Sequence, residues 1–144
     1  MRDDSALFFA CSLIEYIGRI QKRKRGEIVD ALGDGTLRRI YKYADVLHCE
    51  PIMKTADEYI RMQNITEGDF DNVGACKYNV PDYWTIGEVY KRLIEDVQEG
   101  DVVYTLKEVY GSWISDAISN YNTDFFYQSR EYIRECYREG VVLD

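Results

Sequence analysis

From Ser5 onward apolar residues recur at three- and four-residue steps: Leu7, Phe8, Cys11, Ile14, Ile17 and Ile20. That spacing follows the 3.6-residue helical turn and predicts an amphipathic helix to about Lys22, with Asp3, Asp4 and Ser5 as its N-terminal signals. "GEIVDAL" reads as a short helix, closed by a tight turn at the two glycines of "GDG". Thr36 is placed to cap the next helix, "LRRIYKYADVLHC", which sets Leu37, Ile40, Tyr41, Ala44 and Leu47 on one face, with His48 at its margin. Pro51 opens a further helix whose period runs through Ile52, Ala56, Tyr59 and Ile60.

Over 64–83 the period is lost. "NITEGDFDNVGACKYNVPDY" gathers Gly68, Gly74 and Pro81 and reads as a connector, with a turn of helix or a short extended piece expected inside it. Helical spacing returns in "WTIGEVYKRLIEDVQ", in "VVYTLKEVYGSWISDAISNY" and in "FFYQSREYIRECYREG", where Gly140 is a natural stop. The expectation is an all-α fold, a compact bundle of six to eight helices. It divides into an N-terminal helical lobe (1–63), a connector (64–83) and a C-terminal helical lobe (84–144), or forms one compact domain. Three short similarities occur in the same order: "GEIVDAL" with "GEVYKRL", "TLRRIY" with "TLKEVY", and "EYIR" twice. They suggest two related lobes, but the Gly-to-Thr spacing is 10 residues in one and 18 in the other, which excludes a clean tandem repeat.

Composition supports a packed fold. With 46% hydrophobic and 31% charged residues in 144, the chain has apolar material for a core and no polar tract that would keep it unfolded. The apolar run "ALFFACSLI" is far shorter than the roughly 20 residues of a membrane-spanning helix. The acidic "MRDDS" before it lacks the basic start of a secretory signal, so a cytoplasmic protein is expected. Cys11, Cys49, Cys76 and Cys136 stand singly, without C-x-x-C spacing, and are expected to be buried free thiols rather than a metal or disulfide framework.

Charge changes the picture more. The net charge is -8, yet residues 1–42 carry nine Lys or Arg against six Asp or Glu, and the other 102 carry nine against twenty. Such an acidic body disfavours broad phosphate binding and leaves the front end able to meet an anionic surface. The basic run "RIQKRKRG" is followed by "RGEIVDALGDGTLRRIYKYA", the outline of a helix-turn-helix. In that reading Arg23, Lys24, Arg25, Arg38, Arg39 and Lys42 would contact nucleic acid.

Candidate chemistry is sparse. His48, the only histidine, has Asp45 three residues before it and Cys49 beside it, but sequence neighbours on a helix point about 100 degrees apart and do not form a catalytic pair. The carboxylate pairs Glu95/Asp96 and Glu67/Asp69 lie where a solvated surface expects them. No phosphate loop, G-x-S-x-G elbow or H-E-x-x-H motif is present, so the chain reads as a non-enzyme without cofactor. Thirteen tyrosines remain, concentrated in "YNTDFFYQSREYIRECY". There Phe126, Ile133 and Tyr137 fall on one helical stripe suited to the core, and Tyr121, Phe125 and Tyr127 are the candidates for a protein interface.

Glu15 with Tyr16, then Tyr43, Asp45, Leu47 and His48, then Glu58 to Ile60 form a pattern of "EY", "Y-x-D-x-L-H" and "EYI" in the first half. This resembles small bacterial proteins of a domain of unknown function. The resemblance implies a helical fold without an established activity, and an antitoxin-like or accessory partner of a bacterial effector resembling ADP-ribosyltransferases. The residues themselves point to a protein-interaction module that is steered electrostatically to a basic partner and anchored by aromatics. A DNA-binding regulator is the alternative.

Overall fold

The structure, a computed structural model, describes residues 4–144. The fold is all-α, with eight α-helices and one 3-10 turn among the described residues: α1 Ser5–Gln21, α2 Arg25–Lys42, α3 Ala44–Leu47, α4 Ile52–Met62, α5 Tyr83–Val97, α6 Val102–Tyr110, α7 Trp113–Ser119, the 3-10 turn Phe125–Tyr127, and α8 Arg130–Glu139. Short polar side chains start most of them. Asp4, Asp82, Asp101, Ser112 and Ser129 each accept a backbone N–H from the first turn of α1, α5, α6, α7 and α8 respectively. Asp3, the other acidic start signal, lies outside the described residues.

Several boundaries differ from the sequence reading. The "GDG" segment does not end a helix with a loop. Gly33 alone leaves helical geometry, at φ 79°, and α2 continues past it with a kink that only glycine adopts without strain. Thr36 is therefore inside α2 and buried, and its hydroxyl accepts from Gln63, just past the end of α4, at 3.1 Å instead of capping. The stretch from Val102 breaks at Gly111 and Ser112, where Ser112 caps the new helix α7. The "FFYQSRE" stretch breaks in the same way at Ser129.

Helix α1 is the centre of the molecule. It packs most extensively against α5 and then α2, while α6 lies against α2 and α5, α8 against α5, and α7 against α6. The α1–α5 approach is close because Gly87 faces Ser12: a Cβ at Gly87 would stand 2.9 Å from the Ser12 backbone. Buried apolar residues from both halves form one cluster, running from Leu7, Leu13 and Ile17 through Ile28, Leu37 and Ala56 to Ile86, Leu93, Leu106, Ile118 and Ile133. At roughly 1.5–3 kcal/mol per fully buried large apolar side chain, this shared core is the main cohesive term. The two similar glycines have unlike surroundings, since a Cβ at Gly26 would meet the Tyr110 carbonyl whereas Gly87 faces Ser12.

The connector holds a single helical turn, in which Ala75 N–H donates to the Asp71 carbonyl at 3.0 Å, in line with the expected short element, and it is tied down. Gly68 and Phe70 donate backbone N–H groups to the carbonyls of Gln21 and Lys22 at 2.7 and 2.8 Å, and Arg23 reaches Thr66. Asn72 is buried and donates to the Ser119 carbonyl at 2.9 Å, joining the connector to the end of α7.

Candidate interaction grooves

The basic cluster is mostly consumed by the fold. Arg25 is fully buried; its guanidinium donates to both Glu15 oxygens at 2.9 and 3.1 Å, to Asn72 Oδ1 at 2.9 Å and to the Arg23 carbonyl at 2.7 Å. It crosses Gly18 so closely that a Cβ there would lie 2.4 Å from Arg25 Cδ. Tyr121 donates its hydroxyl to Glu15 as well, and Arg19 bonds Glu15 at 2.8 Å. Burial alone would raise the Glu15 pKa, but the charge and hydrogen bonds of Arg25 outweigh it and hold the carboxylate below its usual range. Arg25 is thus a buried structural cation, which corrects its assignment as a nucleic-acid contact.

The other five basic candidates are dispersed. Arg23 holds the connector through Thr66, and Lys24 stands 3.8 Å from Asp116 in an exposed pair. Arg38, at the start of the second half of α2, is gripped by Asp34 at 2.8 Å and by Asp101, the residue that caps α6. Those two carboxylates sit where a recognition helix would have to present cations to phosphates. Arg39 and Lys42 face solvent, Lys42 lying over the Tyr43 ring at 5.4 Å.

The three aromatic candidates line three different clefts. Tyr121 is 4% exposed, with its hydroxyl on Glu15, so it is a core residue at the wall of a polar cleft rather than the surface residue expected. Phe125 is also buried, and only Tyr127, 72% exposed, projects freely. The 3-10 turn is a ridge between two grooves. On one side Phe126 and Tyr127 meet Trp84, Val89, Leu93 and Ile133 in a groove of about 430 Å³. Its charged residues neutralise one another or a neighbour: Arg92 pairs with Glu88 at 3.2 Å and Arg130 with Asp96 at 2.7 Å.

On the other side of the ridge, Phe125 forms the floor of a groove of about 540 Å³ with Trp113, Ala117, Tyr132 and Val142. Helix α7 supplies Trp113 and Ala117 because Ser112 restarts the chain there in a new direction; α8 supplies Tyr132. The back wall is fixed by the short bond from the Tyr132 hydroxyl to the Leu143 carbonyl and by Leu143 N–H to Cys136 Sγ at 3.4 Å. Polar groups, Asn120, Thr123 and Gln128, edge the groove, with Asp116 and Asp124 as its charged residues. Trp113, Ala117, Tyr132 and Val142 were not singled out by sequence reasoning. The "GS" before Trp113, a helix stop followed by a capping serine, is the signal that would have separated it from the preceding helix.

Other chemistry is thinly represented. His48 caps the end of α3 in solvent, and Cys49 beside it is exposed, whereas Cys11 and Cys136 are buried and Cys76 half-buried. The expected burial of all four thiols is corrected for Cys49, which follows the one-turn helix α3 out of the core. Burial pushes the Cys11 thiol up to about 12, so it stays protonated and inert. Among the described residues no group of three or more His, Cys, Asp or Glu converges to hold a metal ion, and no helix is long and apolar enough to cross a membrane.

Comparisons with protein-family models, with curated proteins and with solved structures found no match to this chain.

Proposed function

We propose that this chain is a non-catalytic protein-interaction module. The observation that supports it is the solvent-open aromatic groove floored by Phe125 and walled by Trp113 and Tyr132, in a molecule whose polar clusters serve the fold. Aromatic side chains in a preformed cleft are the kind of anchor site that supplies most of the energy of a protein contact. The resemblance of the first half to small bacterial proteins favours an antitoxin-like or accessory partner of a bacterial effector as the setting.

The reading is tested by capture from native lysate with and without nuclease, comparing the wild type with Val142→Arg, which fills the groove from a half-exposed wall position. A stoichiometric protein held by the wild type and lost by Val142→Arg is the expected result. Recovery of nucleic acid alone, removed by nuclease, would overturn it in favour of a DNA-binding regulator acting through Arg39 and Lys42. A partner held equally by both proteins would remove the groove from the reading.

A further inference from the structure

Resting on that reading, we infer that the Trp113–Phe125–Tyr132 groove takes a basic segment of a partner protein, with an apolar side chain in the cleft and an adjacent Lys or Arg over Asp116 and Asp124.

Charge complementarity carries the inference. Among the described residues lining this groove, Asp116 and Asp124 are the charged ones and no Lys or Arg joins them. Asp124 precedes the 3-10 turn and its side chain makes no cap bond there, so the carboxylate is not committed to the backbone. Asp116 has Lys24 at 3.8 Å, with both side chains more than half exposed. An exposed pair of that kind is worth little and yields readily to a better-placed cation. Trp113 and Tyr132, both half-buried, give aromatic area to an apolar anchor above the buried Phe125. The neighbouring groove lacks this one-sided charge, because Arg92 and Arg130 stand beside Glu88 and Asp96. The chain as a whole, at net charge -8, steers cationic segments in the same direction.

The probe is a random peptide library displayed on phage and panned against the full chain. Enriched sequences should place Lys or Arg beside a bulky apolar residue. Synthetic copies should bind more weakly as salt rises and lose at least about tenfold in affinity to the Asp116→Lys/Asp124→Lys variant, since two rim attractions become repulsions. Val142→Arg should block them. Enrichment of acidic or uncharged peptides, or cationic binding indifferent to the charge reversal, would overturn the basic-segment inference while leaving protein interaction intact. So would an empty panning result alongside a partner captured from lysate by the wild type. An empty panning result with no captured partner would overturn both. The fold of each variant is verified by helical circular dichroism, and Asp124→Asn, which keeps size and shape, should give an intermediate loss.

Discussion

The Arg25 guanidinium and the Glu15 carboxylate meet through paired hydrogen bonds of 2.9 and 3.1 Å, with neither side chain more than 1% exposed. Both groups have left water, so each depends on the other. Glu15→Gln or Arg25→Met alone strands a buried partner and should cost about 3–5 kcal/mol. The double variant Glu15→Gln/Arg25→Met removes both charges and should lose clearly less than the sum of the singles. Urea unfolding of the four proteins measures the coupling, and strict additivity would show that the two do not act as a unit.

The same pair sets an acid limit. The Glu15 pKa is lower folded than unfolded, so its contribution is present above the ordinary carboxylate range near pH 4–5 and is lost as pH falls through the folded value. Stability should drop steeply below about pH 4 in the wild type. Glu15→Gln, already weakened at neutral pH, should show a flatter slope in that window, and equal slopes would place the acid sensitivity elsewhere.

How much of this was readable beforehand divides along physical lines. Period and caps depend on local chemistry, so the helix starting near Ser5, the one opened by Pro51 and the stop at Gly140 were legible. The kink at Gly33 was not, because "GDG" suits either a loop or a bend and the packing of α2 on α6 decides between them. Arg25 reads like its neighbours Arg23 and Lys24. Its burial depends on Glu15 ten positions earlier, on the space left by Gly18, and on Asn72 and Tyr121 arriving from the connector and from beyond α7. Tyr121 was misplaced for the same reason. The groove depends on Ser112 turning the chain, which divides an apparently continuous helical pattern and brings Trp113 toward Phe125.

Alkaline pH should expose a second limit. Burial pushes Tyr121 up to about 12, with Glu15 adding to it, and raises Tyr90 and Tyr110, which stack at 4.1 Å in the core. These phenols keep their protons folded and lose them near pH 10 unfolded, so their contribution holds below about pH 10 and disappears as pH climbs through the folded values. Ultraviolet titration should therefore show a late group of tyrosines that ionises together with loss of helical circular dichroism. A single transition with the helices intact would contradict the burial of these three.

The α1–α5 contact gives two substitutions of opposite sign. A methyl at Gly87 would stand 2.3 Å from Ser12 Oγ and 2.9 Å from Ser12 Cα and N, and since two of these atoms are backbone, a rotamer change cannot relieve the clash. The helices must separate, so Gly87→Ala should destabilise by about 1–3 kcal/mol, the cost of overpacking a tight core. Ser12 itself is fully buried, and its hydroxyl finds no hydrogen-bond partner among the described residues. Ser12→Ala deletes that unsatisfied group without opening a cavity of consequence and should stabilise by up to about 1–3 kcal/mol. In the Ser12→Ala background Gly87→Ala should remain destabilising, because the backbone of residue 12 is still in the way. If Gly87→Ala instead costs nothing relative to the Ser12→Ala protein in thermal unfolding, the hydroxyl alone makes the contact tight and the helices have room to shift.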